Sequence, residues 1–284
     1  MRDARSSHLG SLAMDDHPRQ GQEVPAQPVS RRSRVSSRAI LVTAALTVVV
    51  TAAFAVVAVH IRSQNPPPSE IRATGIPVSV STPLANLMAL SPVPDKPAPD
   101  FNLTDQNGRS YSLTSLRGKS VVLEFMDSHC TDICPIISQE FVDAYQDLGP
   151  DRSNVVFLAV NVNPYHLEVA DMAAFTTEHQ LDTVPTWHFL TGPVGELASV
   201  WNSYGVQVDA PSPTADVIHS SLAYFIDPRG HERYLGSPQD DHRADGAAYL
   251  PGNQIASWGR GIALVARDLS PSGNKPASSL VPGP

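Results

Sequence analysis

Two near-continuous apolar runs limit what this chain can fold into. "SVVLEFM" (120–126) and "NVVFLAVNV" (154–162) lack the polar alternation of a strand with one wet face, so each reads as a central strand buried on both faces. Between them, "PIISQEFVDAYQDL" carries Ile136, Ile137, Phe141, Tyr145 and Leu148 near helical spacing and opens at Pro135. A second helix is expected over "HLEVADMAAFTTEHQL" and a third short strand over "WHFLTG". "SLAYFIDPRGHERYLG" reads as a hairpin turning at "DPRG", and "GNQIASWGRGIALVARDL" as a last helix. Upstream, "APDFNLTDQNGRSYSLTSLRGK" holds a short strand at 100–103, a "DQNG" turn, another short strand and an "RGK" turn. This order predicts an α/β fold, a mixed central sheet flanked by helices, over residues 95–270.

The rest of the chain is different in texture. Residues 1–38 are polar without apolar period and read as a disordered cytoplasmic tail, and 271–284 as a second disordered tail. "AILVTAALTVVVTAAFAVVAV" (39–59) contains no charged residue. At ~1.5 Å per residue it is long enough to cross a hydrocarbon core of about 30 Å, so 39–60 is expected to be one transmembrane helix. Arg31, Arg32, Arg34 and Arg38 precede it and only Arg62 follows closely, which places the N-terminus in the cytoplasm and the domain outside. The competing reading, a cleaved signal peptide, finds no clean small-x-small cleavage site. Residues 61–94 are rich in proline and read as a semi-extended linker. Before residue 39 the chain has seven Arg against four acids; after it, thirteen bases against twenty-four acids. An acidic domain without a basic stripe argues against nucleic acid as a partner.

The chain's only two cysteines, Cys130 and Cys134, stand in "SHCTDICP", between the first buried strand and its helix. Residues i and i+4 share a helical face, so the two sulfurs can converge. They can form a disulfide, or clamp one soft ion as thiolates. The neighbouring helix N-terminus favours the thiolate. A purely structural disulfide closing so short a loop would remove only about 2–3 kcal/mol of chain entropy, and a domain of this length can bury a core without it. A two-thiolate metal site needs a further ligand. Of the ten histidines, His129 adjoins Cys130 and can tune it, and His188 reads as a partly buried sheet residue. His166, His179, His231 and His242 read as surface residues. His219, in "DVIHSSLAYFID", precedes the hairpin and is a candidate to face the cysteines.

"SHCTDICP", with "WHFLTG…VWNSYGV" and "VIHSSLAYFIDPRG", resembles the Sco/SenC family of membrane-anchored, thioredoxin-like copper chaperones for cytochrome c oxidase assembly. The resemblance covers roughly residues 95–268. It implies a thioredoxin-like fold and copper ligation, as Cu(I) and in some states Cu(II), by Cys130, Cys134 and His219. Asp132 matches an acidic family position expected to orient the loop, and the two cysteines would form the redox-active pair. The implied partners are cytochrome c oxidase subunit II, or another copper client, and an extracytoplasmic thiol reductant. This chain departs from the family pattern at Thr131, where Pro is usual, at Asn163-Pro164, where Asp-Pro is usual, and in "MDSH" before the first cysteine.

Two thiolates and one imidazole suit Cu(I) better than structural zinc, which normally takes four protein ligands. A zinc enzyme would fit the ligand count, but no convergent base accompanies it. The leading alternative is a thiol–disulfide oxidoreductase acting on an exported protein's cysteine pair. A thiol peroxidase shares "APDF" and "LRGK". Neither has a use for a distant histidine, so His219 discriminates among the readings.

Overall fold

A computed structural model describes residues 74–271 of the 284-residue chain. The expected tail 1–38, the apolar run 39–59, the linker up to residue 73 and the expected C-terminal tail beyond residue 271 lie outside the described residues. No helix among those described is long and apolar enough to cross a membrane.

Strands β4 (Ser120–Met126) and β5 (Val155–Asn161) are buried at every position and pair in parallel from Ser120↔Val155 to Met126↔Asn161. Helix α2 (Ile133–Leu148) connects them. Their side chains alternate between two apolar layers, as the two-residue strand period requires. Val122, Met126, Phe157 and Ala159 face one layer, while Leu123, Phe125, Leu158 and Val160 face the other. The first layer is closed by α2, by α3 (Val169–Glu178) through Met172 and Phe175, and by α5 (Gly252–Leu269) through Trp258 and Ile262. The second is closed by α4 (Val194–Tyr204) through Leu197, Val200 and Trp201.

Strand β6 (Trp187–Thr191) adds in parallel to β5. Beyond it lie β2 (Asn102–Asp105) and β3 (Ser110–Ser112), both antiparallel. On the other side of β4 sits the predicted hairpin, β9 (Ala223–Ile226) and β10 (His231–Gly236). Its turn is held by Asp227, whose carboxylate accepts the backbone N–H groups of Arg229 and His231. With β1 (Ser91–Pro97) at one edge, the order in the eight-stranded sheet is β1-β10-β9-β4-β5-β6-β2-β3. A β-α-β unit followed by an antiparallel hairpin and a closing helix is the thioredoxin-like core that was expected. His188 is half-buried on β6, with Nδ1 3.2 Å from Asp105 Oδ2, as its place in a strand implied.

Two parts differ from the sequence expectation. The linker expected over 61–94 packs on the domain from residue 76. Ile76, Val80, Ala85, Met88 and Leu90 are buried, α1 (Thr82–Leu87) starts from a Ser81 side chain that accepts the Leu84 N–H, and β1 (Ser91–Pro97) pairs antiparallel with β10. Prolines at 92, 94 and 97 suggested a tether, but a sheet edge is where a strand tolerates residues without an N–H. They also blunt that edge against further pairing. The other difference is α4, which the sequence reading did not anticipate. Its Trp201 donates Nε1–H to the Asn161 carbonyl at 2.9 Å and so ties the helix to the end of β5.

Helices α2 and α5 cross closely because Gly259 has no side chain. A Cβ there would lie 2.6 Å from Asp143 Cβ and 2.9 Å from the Glu140 carbonyl oxygen. In the same layer, Glu124 and Glu140 are buried, and burial holds both carboxyls well above the usual range. Gly259→Ala should destabilise the domain by about 1–3 kcal/mol, because the backbone clash outweighs the roughly 1 kcal/mol that alanine adds to a helix. Gly195→Ala in α4, where a Cβ meets nothing within 4 Å, should be neutral or mildly stabilising. Urea midpoints of the two variants check this, and equal midpoints would remove the close crossing as an explanation.

Candidate metal centre

Parallel strands end at the same sheet edge, so the segments leaving β4 and β5 lie side by side. The first, 127–132, carries Cys130; the second, 162–168, runs into α3. They are joined by Asp127 and Asn163, both buried. Asn163 Nδ2 donates to Asp127 Oδ1 at 3.0 Å, and the same oxygen accepts the His129 N–H at 2.9 Å. Asn163 Oδ1 in turn accepts the backbone N–H groups of Tyr165 and His166. An amide is required in this arrangement, since a carboxylate at 163 would have no hydrogen to give Asp127. The departure noted at Asn163 thus has a local physical role.

Cys134 is fully buried in the first turn of α2 and Cys130 is half-buried on the loop before it; both are free thiols. The Cys134 S–H donated to Cys130, together with the backbone N–H groups of Cys134 and Asp132, lowers the Cys130 pKa to about 7. The same hydrogen bond, with burial, pushes Cys134 well above the ordinary thiol range. Cys130 is therefore the first thiolate and Cys134 the proton holder.

His219 lies on β8 (Ile218–His219), a two-residue strand paired with β7 (Val208–Asp209). It lines a cavity of about 760 Å3 together with Cys130, Asp127, His129, His166 and Asn163. Its Nδ1 sits 3.1 Å from the Ser220 carbonyl oxygen. A carbonyl only accepts, so Nδ1 carries the hydrogen and Nε2 keeps the lone pair a metal requires. Burial also lowers the His219 pKa, which keeps the ring neutral.

Asp132 precedes α2 without capping it through its side chain, and its carboxylate is instead 3.4 Å from His242 Nε2. That contact links the cysteine loop to the ribbon of β11 (Asp241–His242) and β12 (Ala248–Tyr249). His129 is exposed and its ring stacks on His166, centroids 3.6 Å apart. The structure thus brings Cys130 and Cys134 into contact and puts His219 on the wall of the same cavity. Two triads of donor atoms converge within 4.8 Å among the described residues, His129–His166–Asp171 and Asp132–Asp240–His242, and neither includes a cysteine. Sequence reasoning placed His166 and His242 on the surface. The signal that could have moved His166 is its position just after a buried parallel strand, at the edge where ligands bind.

The SCO1/SenC family model matches residues 92–247, more than half of the chain. The Bacillus subtilis SCO1 protein homolog is 28% identical over 154 residues, 51% of this chain and 78% of its own length. Mitochondrial SCO2 of Saccharomyces cerevisiae is 32% identical over 136 residues, 46% of this chain and 44% of its own. The chain therefore spans less than half the length of the yeast relative. Among solved structures, Bradyrhizobium japonicum ScoI with copper bound is similar at 27% identity, with a TM-score of 0.46, covering 61% of this chain and 99% of that one. On the extent of the family match, this chain belongs to the SCO1/SenC family.

Proposed function

We propose that this protein is a membrane-anchored copper carrier whose domain works outside the cytoplasm. It delivers copper to the dinuclear centre of cytochrome c oxidase subunit II, or prepares the cysteines of that centre. The observation that carries the reading is the donor set: Cys130 in contact with Cys134, and His219 with its Nε2 lone pair free, line or adjoin one cavity. Two thiolates and a neutral imidazole form a soft, low-coordination site that suits Cu(I). Copper is cargo here, and family membership supports both the ion and the oxidase as client.

The residues divide the work. Cys130 supplies a thiolate near neutral pH, and Cys134 must release its proton when the ion arrives, so binding is linked to proton release. His219 completes the site with no charge change, because it is already neutral and its Nδ1–H is taken by Ser220. The ribbon contact between His242 and Asp132 holds the cysteine loop from its outer side. The apolar run 39–59, with arginines on its N-terminal side, supports the anchor and its orientation.

One observation favours a second reading, thiol–disulfide exchange on an exported protein. The thiols are unequal: a reachable one that ionises easily and a buried one that does not, the division of labour such exchange uses. Both functions need reduced thiols in an oxidising compartment, hence a dedicated reductant.

The reduced protein should bind one Cu(I), and Cys130→Ser or Cys134→Ser should abolish most of that affinity. His219→Ala should weaken copper retention by at least the roughly 10- to 100-fold that losing an outer partner costs, while reduction of a model disulfide changes little. Unchanged copper binding in His219→Ala would leave exchange as the function. Iodoacetamide labelling of the metal-free protein should follow a single ionisation with a midpoint at about pH 7 for Cys130. Labelling with an ordinary thiol midpoint, above pH 8, would show that Cys134 does not donate to it. A reporter fused after Pro284 should be active only in an extracytoplasmic assay, and activity in the cytoplasm would overturn the orientation.

A further inference from the structure

We propose a second metal site beside the thiol pair, built from His129, His166 and Asp171, that takes a borderline divalent cation such as Cu(II) or Zn(II). The three side chains come from both segments that leave the sheet edge. His129 stands on the cysteine loop, His166 on the segment after β5, and Asp171 in the first turn of α3. One donor atom from each falls within 4.8 Å of the others.

The backbones of the two histidines are held by partly buried hydrogen bonds. Asp127 accepts the His129 N–H at 2.9 Å, while Asn161 Nδ2 donates to the His166 carbonyl at 2.7 Å and Asn163 accepts the His166 N–H at 3.3 Å. The backbones that carry the two imidazoles are therefore held side by side, although His129 itself is exposed. The Ser128 hydroxyl lies 3.2 Å from His129 Nδ1, an outer partner of the kind that fixes the tautomer of a metal-binding imidazole. Asp171 makes no ion pair among the described residues with which a cation would have to compete. The rings now stack at 24°. An ion held by both requires each ring to turn about its Cβ–Cγ bond, a soft torsion.

The donor set decides the ion class. Two imidazoles and a carboxylate, with no sulfur, suit Cu(II), Ni(II) or Zn(II) and offer little to Cu(I). Two of the three donors, His129 and His166, line the cavity that Cys130 and His219 also line. The neighbouring thiolate site and this one thus differ in preferred oxidation state although they share a wall. This site does not depend on the copper-carrier reading.

The test uses the full chain, untagged and in detergent, with both cysteines replaced by serine, so that failure of the thiol site does not enter. Titration with Cu(II), followed by equilibrium dialysis and electron paramagnetic resonance, should show one ion in a tetragonal nitrogen–oxygen environment. His166→Ala and Asp171→Asn should each weaken it by more than about 10-fold, and Ser128→Ala by roughly 10- to 100-fold. His242→Ala and His219→Ala should leave it unchanged. Asp171→Asn is nearly isosteric and half-buried, so its circular dichroism should match the parent and separate ligand loss from unfolding. Absence of a bound ion, binding indifferent to His166 and Asp171, or binding lost with His219→Ala instead would each overturn the site.

Discussion

The parallel pairing of β4 with β5, buried on both faces, is the constraint on which the rest of the molecule depends. Parallel strands send their C-terminal ends to one edge, so the chain must leave both strands at the same place and return through helices that start there. That geometry sets residues 127–132 against 162–168. Polar backbone in such a crevice must find partners. Asp127, Asn161 and Asn163 supply them from side chains, which stiffens the crevice and fixes where Cys130, His129 and His166 stand.

The chemistry of the thiol pair follows from where burial stops. Cys134 is inside the helix turn and sealed by the apolar layer, so a charge on it is costly. Cys130, one turn earlier, has its sulfur served by an S–H and by two backbone N–H groups at the helix start. The hydrogen bond that Cys134 gives to Cys130, with burial acting against a charge on Cys134, thus produces two thiols of opposite tendency. No cationic side chain is needed for the effect, which agrees with the acidic balance of the domain.

Polar burial continues in the scaffold behind the site, where it lacks the side-chain partners that the crevice supplies. Glu124 points into the same layer as Val122 and Met126, by strand alternation, and Glu140 enters that layer from α2. Glu124 Oε2 and both Glu140 carboxyl oxygens have no hydrogen-bond partner, so burial disfavours the charged form of each acid and raises its pKa. Close helix crossing at Gly259 and the insertion of Met88 against Gly261 then complete the layer.

The sequence by itself determined what is local. Apolar runs at 120–126 and 154–162, helical spacing after Pro135, the "DPRG" turn and the i, i+4 cysteines are each visible within one short window, because strand, helix and turn physics acts over a few residues. The same window-bound view misread residues 76–94, since prolines that signal a tether also suit the edge strand they form, and only pairing with β10 reveals it. It passed over α4, whose apolar face has meaning only against the second layer. His219 was singled out for standing before the hairpin, but the tertiary structure alone placed it in the cavity of Cys130, nearly ninety residues away in the chain. His166 and Asp171 were invisible as partners of His129 for the same reason. Convergence of separate loops is set by strand order at a sheet edge, and strand order is a property of the whole packed chain, not of any segment of it.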